Sequence, residues 1–230
     1  MTIGLLCCDH IPSHLQGYQG DYDEMYGALL PGMDVKPYYV CDGIFPSDIN
    51  ECDSWLIGGS RSSAYEDKPW IQNLLSLTRE ILQNQIPLIG ICFGHQLIAL
   101  AAGGEVRRSE GGWTLGNYEF EILKHPSHAE FTNGQFRMLM LCQDQVTKLP
   151  DQASLFASNN RCPNAGYLLS DHCISMQGHP EFTSSYLKGV INDRKGMIPD
   201  DVTRVALNSL SLDTDHREIS QWLISFLKAN

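Results

Sequence analysis

The sequence predicts an α/β protein built on an open, mainly parallel β-sheet, with helices on both faces and antiparallel strands added at one flank. Up to Gly104, short apolar runs alternate with helical runs in the order β-α-β-β-α-β-α, which favours parallel strands joined by helices. Beyond Gly104, short strand-like runs are separated by Gly, Pro and Asn, which is typical of antiparallel strands. Three helical segments then complete the chain.

The composition is that of one globular domain. The chain has 230 residues, of which 43% are hydrophobic and 19% are charged, enough to bury the core of one α/β domain. Because no linker, repeat or low-complexity tract interrupts it, we expect residues 1–230 to form a single domain. The formal net charge of −11, with no basic patch, argues against a nucleic-acid partner.

The chain carries no recognisable targeting, membrane or metal-binding signal. The N-terminal residues lack the basic and apolar segments of a signal peptide, and no run approaches the roughly 18 apolar residues of a spanning helix. The eight cysteines follow no pairing rhythm, and no Cys-x-x-Cys or His-Glu-x-x-His spacing occurs. We therefore expect a cytoplasmic protein with no membrane contact, no disulfide framework and no metal ion.

Local patterns define the elements of the first half. Segment 9–20 contains Pro, Gly, Ser and two His and is predicted to be a loop. The next helix opens with acidic residues and ends at Pro31-Gly32, and a later one begins on Pro69, a residue suited to a first turn. The predicted strands are 3–8, 35–41, 53–57 and 87–91, and the predicted helices are 21–30, 69–84 and 96–102.

The second half is predicted from shorter apolar runs. These runs are expected to form the strands of the antiparallel flank, and the apolar residues between Ile219 and Leu227 show helical spacing. The predicted strands are 105–108, 116–123, 135–140, 154–158, 166–169 and 173–177, and the predicted helices are 183–194, 200–211 and 215–228.

The segment 85–104 carries the clearest chemical signal. An apolar run leads into Gly90-Ile91-Cys92-Phe93-Gly94, after which a helical run begins. A nucleophile with glycine two residues away on each side is typical of a nucleophile elbow, a sharp strand-to-helix turn whose crowded backbone needs small neighbours. Cys92 would also lie at a helix N-terminus, where the helix dipole favours a thiolate. We therefore predict that Cys92 is a covalent nucleophile.

A nucleophilic cysteine needs a base, and the base needs a group that orients it. The segment Gln177-Gly178-His179-Pro180-Glu181-Phe182 follows the apolar run 173–176. His179 is therefore expected just past a strand end, at the sheet edge where sites form in open α/β sheets. Glu181 lies two residues further on and can hold the imidazole in one tautomer. Together with Cys92, these two residues predict a site for nucleophilic catalysis.

These motifs resemble those of a known family. Residues 90–96, the His179-Pro180-Glu181 motif and the Gly58-Gly59 turn resemble the class I (triad-type) glutamine amidotransferases. The likeness is strongest to stand-alone domains similar to the amidotransferase part of GMP synthase, and it extends from the first strand to about Phe182. The resemblance implies that Cys92 is the nucleophile, His179 the general base and acid, and Glu181 the residue that orients His179.

The resemblance also implies how a substrate is held. The Gly58-Gly59 turn is similar to the family's oxyanion loop, in which the N–H of Gly59 acts beside that of Phe93. The implied reaction attacks the side-chain amide of glutamine, releases ammonia and passes through a γ-glutamyl thioester, without a cofactor. The residues implied to contact the substrate are Gly58, Gln96, Trp113, Thr114 and Leu115.

Two positions depart from the family pattern. Ser60 follows Gly59 where many relatives have proline, which suggests a more mobile oxyanion loop. Gln143-Asp144-Gln145-Val146 stands where family members often have His-x-Asp-x-Val. The second departure bears on contact with a synthetase partner, and it leaves hydrolysis unaffected.

The sequence leaves three functions open. The first is hydrolysis of glutamine to supply ammonia to a separate synthetase subunit, because the chain has no phosphate-binding glycine-rich loop of its own. The second is hydrolysis of other γ-glutamyl small molecules, such as peptides, amines or glutathione adducts, by the same triad. The third is a catalytically silent binding protein, which the intact triad disfavours. Residues that could line a leaving-group pocket are His10, His14, Tyr18 and Tyr22.

Overall fold

The computed structural model describes residues 1–127, 129, 131 and 134–230, and within them eleven strands and seven α-helices. The strands are β1 (Thr2–Leu6), β2 (Asp34–Tyr38), β3 (Ser54–Ile57), β4 (Leu88–Ile91), β5 (Glu105–Arg108), β6 (Thr114–Ile122), β7 (Gln135–Cys142), β8 (Asp144–Lys148), β9 (Ala153–Asn159), β10 (Cys162–Leu169) and β11 (Cys173–Met176). The helices are α1 (Ser13–Gln19), α2 (Tyr22–Leu29), α3 (Pro69–Gln83), α4 (Phe93–Ala101), α5 (Ser184–Asp193), α6 (Asp200–Ser209) and α7 (His216–Ala229).

Nine strands form one sheet in the order β2-β1-β3-β4-β11-β10-β9-β6-β7. The first five of these strands pair in parallel, and the last four join by antiparallel pairing. The predicted fold class is therefore confirmed, with the antiparallel strands on one flank. Pro37 lies in β2 at the sheet edge, where a residue without an N–H interrupts no ladder.

Apolar side chains cover both faces of the parallel strands. Strand β3 shows this directly, because Trp55 and Ile57 belong to one buried cluster and Leu56 belongs to the other. The alternation follows from the two-residue period of a strand. Helices α3 and α4 pack on the face of Trp55, and helices α2, α5 and α7 pack on the face of Leu56.

Two strands were predicted in the wrong place. The run at 173–177 was expected in the antiparallel flank, but β11 lies in the centre of the sheet and pairs in parallel with β4. Strand β5 is outside the main sheet and pairs with β8. Strand β8 was not predicted, because Asp144–Lys148 offers little apolar alternation and finds its partner 36 residues or more upstream.

The predicted loop at 9–20 contains a helix instead. Helix α1 follows Pro12, has no side-chain cap and contains Gly17, so its local signals are weak. Its stability comes from packing, since Leu15 is buried and the ring of Tyr18 lies against Gly189 of α5. Tertiary contact therefore decides the structure of this segment.

No helix in the described part of the chain has the length and hydrophobicity needed to cross a membrane. Helix α3 is the longest, and one side of it is exposed.

Substituting alanine for either of two glycines tests the described packing of β1 and α2. A Cβ at Gly4 of β1 would overlap the ring of Trp55, whereas nothing lies within 4 Å of the position of a Cβ at Gly27 of α2. We expect Gly4→Ala to lower the free energy of unfolding by about 1–3 kcal/mol, because the buried ring must move. Gly27→Ala should raise it by up to about 1 kcal/mol, because alanine favours a helix.

The measurement is urea unfolding of both variants beside the unmodified protein. A loss of stability in Gly27→Ala, or none in Gly4→Ala, would contradict the described packing of β1 and α2.

Candidate active site

The sheet topology brings together the two motifs that the sequence predicts to be catalytic. Strands β4 and β11 are parallel neighbours, so their carboxyl ends lie at the same edge. Cys92 directly follows β4, and His179 comes three residues after β11 ends at Met176. Ligand sites of open α/β sheets form at this edge.

Cys92 occupies a strained turn. It has φ 53° and ψ −100°, a conformation that L-residues rarely adopt, between the end of β4 and the first residue of α4. A Cβ on Gly94 would overlap the carbonyl oxygen of Ile57, and one on Gly90 would overlap the side chain of Ile98. The two glycines are therefore a steric requirement of the turn, as a nucleophile elbow demands.

His179 is fixed on three sides. Its backbone N–H donates to the carbonyl oxygen of Leu139 at 2.8 Å, and its ring stacks on the ring of Phe182 with centroids 4.0 Å apart. Its Nδ1 lies 2.7 Å from Oε1 of Glu181, and both side chains are buried. Because Nδ1 donates to the carboxylate, Nε2 is the ring nitrogen that remains available, and it has no hydrogen-bond partner among the described residues.

Two buried histidines show how neighbours decide charge. Burial lowers the pKa of His95 to about 3. The ring is hydrogen-bonded to the neutral Ser175 hydroxyl, and no anionic partner in the described part of the chain offsets the effect of burial. Burial also acts to lower the pKa of His179, but the sulfur of Cys92 and the carboxylate of Glu181 outweigh it and raise that pKa well above its usual value. The site therefore favours the protonated, positively charged form of His179.

The predicted oxyanion loop is tied to the predicted triad through a tyrosine that the sequence did not indicate. The hydroxyl of Tyr26 donates to Oε1 of Glu181 at 3.1 Å and accepts the N–H of Gly59 at 3.2 Å. The expected oxyanion donor at Gly59 is thus engaged with Tyr26 in this conformation. Gly59 also lies close to the reacting groups, because a Cβ there would be 3.2 Å from Cε1 of His179. The sequence did hold one sign of this role: Tyr26 lies on the core face of an amphipathic helix, and a buried hydroxyl needs a hydrogen-bond partner.

The other predicted oxyanion donor and the first loop glycine lie beside the nucleophile. Phe93 is the first residue of α4, where backbone N–H groups have no partner within the helix. Gly58 accepts the N–H of Gly94 at 3.1 Å through its carbonyl oxygen, which ties the loop to the elbow. Ser60, the departure from the family pattern, donates its hydroxyl to the carbonyl oxygen of Cys8 at 2.9 Å, which anchors the loop in place of proline.

The predicted substrate residues fall into two groups. Gln96 and Trp113 line the cleft beside Cys92, whereas Thr114 and Leu115 are buried at the start of β6 and contribute no lining side chain. The guanidinium of Arg161 donates to the carbonyl oxygens of Gly111 and Trp113 at 2.8 and 3.0 Å. Arg161 therefore holds the backbone of this segment in place, which the sequence alone did not indicate.

A glutamine that the sequence did not single out contacts Cys92. Nε2 of Gln177 lies 3.6 Å from Sγ of Cys92, and the side chain is fully buried. Its Oε1 accepts from Nε2 of Gln96 at 3.1 Å. The position of Gln177 two residues before His179 was visible in the sequence, but its contact with Cys92 depends on the pairing of β4 with β11.

A cleft of about 520 Å³ opens over Cys92 and His179. Of the four residues suggested for a leaving-group pocket, His10 and Tyr22 line it. His14 instead pairs with Asp193 at 2.7 Å, and Tyr18 packs on α5. The other lining residues include the apolar set Ile11, Pro12, Leu15, Phe182, Tyr186, Val190 and Met197 and the charged set Arg61, Arg108, Asp144, Asp193 and Arg194.

Within the described residues, one group of side chains has the spacing of metal ligands. Candidate ligand atoms of His10, Cys41 and Asp42 lie within 4.8 Å of one another. His10 already lies 2.8 Å from the Asp42 carboxylate and stacks on Tyr39, so an ion pair accounts for the group. We assign it no metal.

Comparison with known proteins identifies the family. The family model described as "Glutamine amidotransferase class-I" matches residues 41–195, which include the elbow and the His179-Pro180-Glu181 motif. The chain belongs to the class-I glutamine amidotransferases. The family predicted from the motifs is thus confirmed.

Relatives of this chain carry two kinds of name. "Gamma-glutamyl peptidase 4" of Arabidopsis thaliana is 32% identical over 182 residues, covering 75% of this chain and 72% of that protein. GMP synthase (glutamine-hydrolyzing) of Cupriavidus taiwanensis is 27% identical over 170 residues, covering 65% of this chain and 30% of that protein. The crystal structure of a glutamine amidotransferase from Thermotoga maritima matches with a TM-score of 0.80 at 19% identity, covering 99% of this chain and 97% of that one, which shows the same fold.

The charge on Glu181 should set the alkaline limit of activity. Since this carboxylate helps to raise the pKa of His179, its loss in Glu181→Gln lowers that pKa, and the imidazolium disappears at a lower pH. We expect the alkaline limb of kcat/KM to move down by about one pH unit or more.

The matched control is Glu80→Gln, which changes an exposed carboxylate on α3 far from the cleft. An unchanged alkaline limb in Glu181→Gln, measured with any substrate that turns over, would show that Glu181 does not act on His179.

Proposed function

We propose that the chain hydrolyses the amide bond of γ-glutamyl compounds through a thioester on Cys92. The observation that carries this proposal is the position of Cys92 at the strained elbow beside the buried His179–Glu181 pair. A thiol on a strained turn at the sheet edge, with an oriented base beside it, is the arrangement of a cysteine nucleophile.

The proposed reaction has two halves. The Cys92 thiolate attacks the γ-carbonyl carbon, and the C–N bond breaks as Nε2 of His179 protonates the departing nitrogen. Water then loses a proton to His179 and attacks the thioester. This step frees glutamate and returns Cys92 and His179 to their starting protonation states. Positioned acid–base catalysis of this kind contributes about 10²–10⁴ to a rate.

Backbone N–H groups stabilise the tetrahedral intermediate in this proposal. Phe93 supplies one, from the N-terminus of α4. Gly59 supplies the second after its N–H leaves the Tyr26 hydroxyl, which it contacts in the described conformation. Thr114 and Leu115 have a different part in this proposal: their backbone holds the amino and carboxylate groups of the substrate, because their side chains are buried.

The γ-glutamyl half of the substrate lies between Gln96 and Trp113 in this proposal. Both Nε2 contacts of Gln96 are with protein, to the carbonyl oxygen of Asp144 at 2.8 Å and to Gln177 at 3.1 Å. The oxygen of Gln96 is therefore the atom that we assign to the substrate, because an amide oxygen suits the substrate's ammonium group. Gly58 contributes by holding the loop against the elbow.

The leaving group is larger than ammonia. A cleft of about 520 Å³ falls in the range of about 300–1,000 Å³ that holds drug-sized ligands, more than one amino acid requires. Arg61 is paired with Asp9, but none of the ion pairs in the described part of the chain involves Arg194, whose guanidinium lies 6.0 Å from the Trp113 ring centroid. A free cation beside apolar walls suits a leaving group that ends in a carboxylate, so we favour γ-glutamyl peptides.

Glutamine hydrolysis is the second candidate. Membership of the class-I family and the similarity to GMP synthase support it, and a separate synthetase subunit would then receive the ammonia. We further propose a cytoplasmic location, because all eight cysteines are free and a reducing compartment keeps them so.

A release assay separates the two candidates. Purified protein is incubated with glutamine, γ-glutamyl dipeptides or glutathione, and glutamate is measured. We expect kcat/KM for at least one γ-glutamyl dipeptide to exceed that for glutamine by about tenfold or more, because the apolar walls contact only the larger leaving group.

Cys92→Ser should lower turnover of every substrate by at least about 10³, while Cys41→Ser, which changes a thiol outside the cleft, should keep it. Fast glutamine turnover with idle peptides would reject the peptidase proposal, and full activity in Cys92→Ser would reject the thioester.

A further inference from the structure

A chain of three polar contacts ends on the sulfur of the nucleophile. The carbonyl oxygen of Asp144 accepts from Nε2 of Gln96 at 2.8 Å, and the same nitrogen donates to Oε1 of Gln177 at 3.1 Å. Nε2 of Gln177 then lies 3.6 Å from Sγ of Cys92. Gln177 is fully buried and Gln96 nearly so, so water does not replace these contacts.

The contact with the Asp144 carbonyl oxygen determines which amide atoms donate and which accept along this series of hydrogen bonds. A main-chain carbonyl can only accept, so the atom of Gln96 that meets Asp144 must be the nitrogen. That nitrogen also meets Gln177, so the atom of Gln177 facing it must be the oxygen. The remaining atom of the Gln177 amide, the one that faces Cys92, is therefore the NH₂ group, a donor.

The surroundings of Cys92 make such a donor valuable. Among the described residues, titratable groups that interact with its sulfur include His179, Tyr22 of α2, Cys142 of β7 and Cys162 of β10. Burial raises the pKa of the Cys162 thiol to about 12 and that of Cys142 well above its usual value. Burial works against an ionised sulfur, so a hydrogen-bond donor directed at a sulfur in this part of the protein favours its anionic form.

We propose that Gln177 is a catalytic residue that stabilises the Cys92 thiolate by donating an amide N–H to its sulfur. This inference rests on the proposed function, since it concerns the same nucleophile. Hydrogen bonds to an ionised acceptor are stronger than neutral ones, so the contact favours the thiolate over the thiol.

The contact raises the overall rate although it makes each thiolate less basic. When a thiol ionises more readily, the thiolate fraction grows tenfold for each pH unit, while its nucleophilicity falls with a Brønsted coefficient of only about 0.4–0.5. Below the pH at which the thiol is fully ionised, the gain in thiolate exceeds the loss in nucleophilicity. Gln177 also keeps its proton throughout, because attack transfers the charge from sulfur to the substrate oxygen and leaves the amide neutral.

The test measures thiolate formation at Cys92 without any substrate. Iodoacetamide alkylation of the Cys92 peptide is followed by mass spectrometry as a function of pH. The measured quantity is the midpoint, the pH at which the alkylation rate reaches half of its maximum. In Gln177→Met, which keeps the length of the side chain but has no donor, we expect this midpoint to rise by about one to two pH units. Gln177→Asn, which keeps an amide but is one methylene shorter, should shift it in the same direction.

A further variant separates catalysis from support of Gln96. Gln177→Glu keeps an oxygen acceptor for Gln96 but places a carboxylate oxygen against the sulfur, so we expect its midpoint to lie above that of Gln177→Met. The matched control is Asn117→Leu, which removes a buried amide bonded to the carbonyl oxygens of Leu212 and Asp213, outside the cleft. Its midpoint should equal that of the unmodified protein.

Two results would overturn the proposal. One is an alkylation midpoint in both Gln177→Met and Gln177→Asn that equals the midpoint of the unmodified protein. The other is a normal midpoint in Gln177→Glu with a shift in Gln177→Met, because a side chain that only supports Gln96 would behave in that way. Failure of the proposed function appears in a different experiment, as turnover that survives in Cys92→Ser, so the two failures are distinguishable.

Discussion

The structure depends on one strained residue. Cys92 has φ 53°, and a non-glycine residue in such a conformation costs on the order of 1–3 kcal/mol. The cost is offset because β4 is buried between β3 and β11 and because α4 packs directly on the sheet through Gly94. With a side chain at Gly90 or Gly94, the turn would clash with Ile98 or with the backbone of Ile57. The strain places the sulfur at the sheet edge, where the other motifs meet it.

The residues of the candidate site differ in how readily the sequence predicts them. The elbow and the His179-Pro180-Glu181 motif were predictable, because each is a local pattern with its own chemical reason. Tyr26 and Gln177 were not, because their roles arise only when α2 and β11 pack beside β4. The engagement of the Gly59 N–H by Tyr26 belongs to the same class, since a loop and a helix 33 residues apart create it.

The fold shows the same division between local and long-range causes. Strands β1 to β4 were predictable from compact apolar runs, and the class of the sheet followed from their order with the helices. Helix α1 and strand β8 were missed because Ser13–Gln19 and Asp144–Lys148 have weak local signals and are stabilised by distant partners. The central position of β11 was also missed, because no local pattern distinguishes a parallel strand from an antiparallel one in so short a run.

The central claim is that Cys92 carries the γ-glutamyl group during turnover. The most direct measurement is an acid quench of the enzyme during steady-state hydrolysis of a γ-glutamyl dipeptide, followed by mass spectrometry of the Cys92 peptide. We predict that this peptide gains the mass of one γ-glutamyl group as a hydroxylamine-sensitive thioester, and that the adduct disappears once substrate is exhausted. Continued release of glutamate with the peptide unmodified, or with the adduct on another residue, would contradict the account.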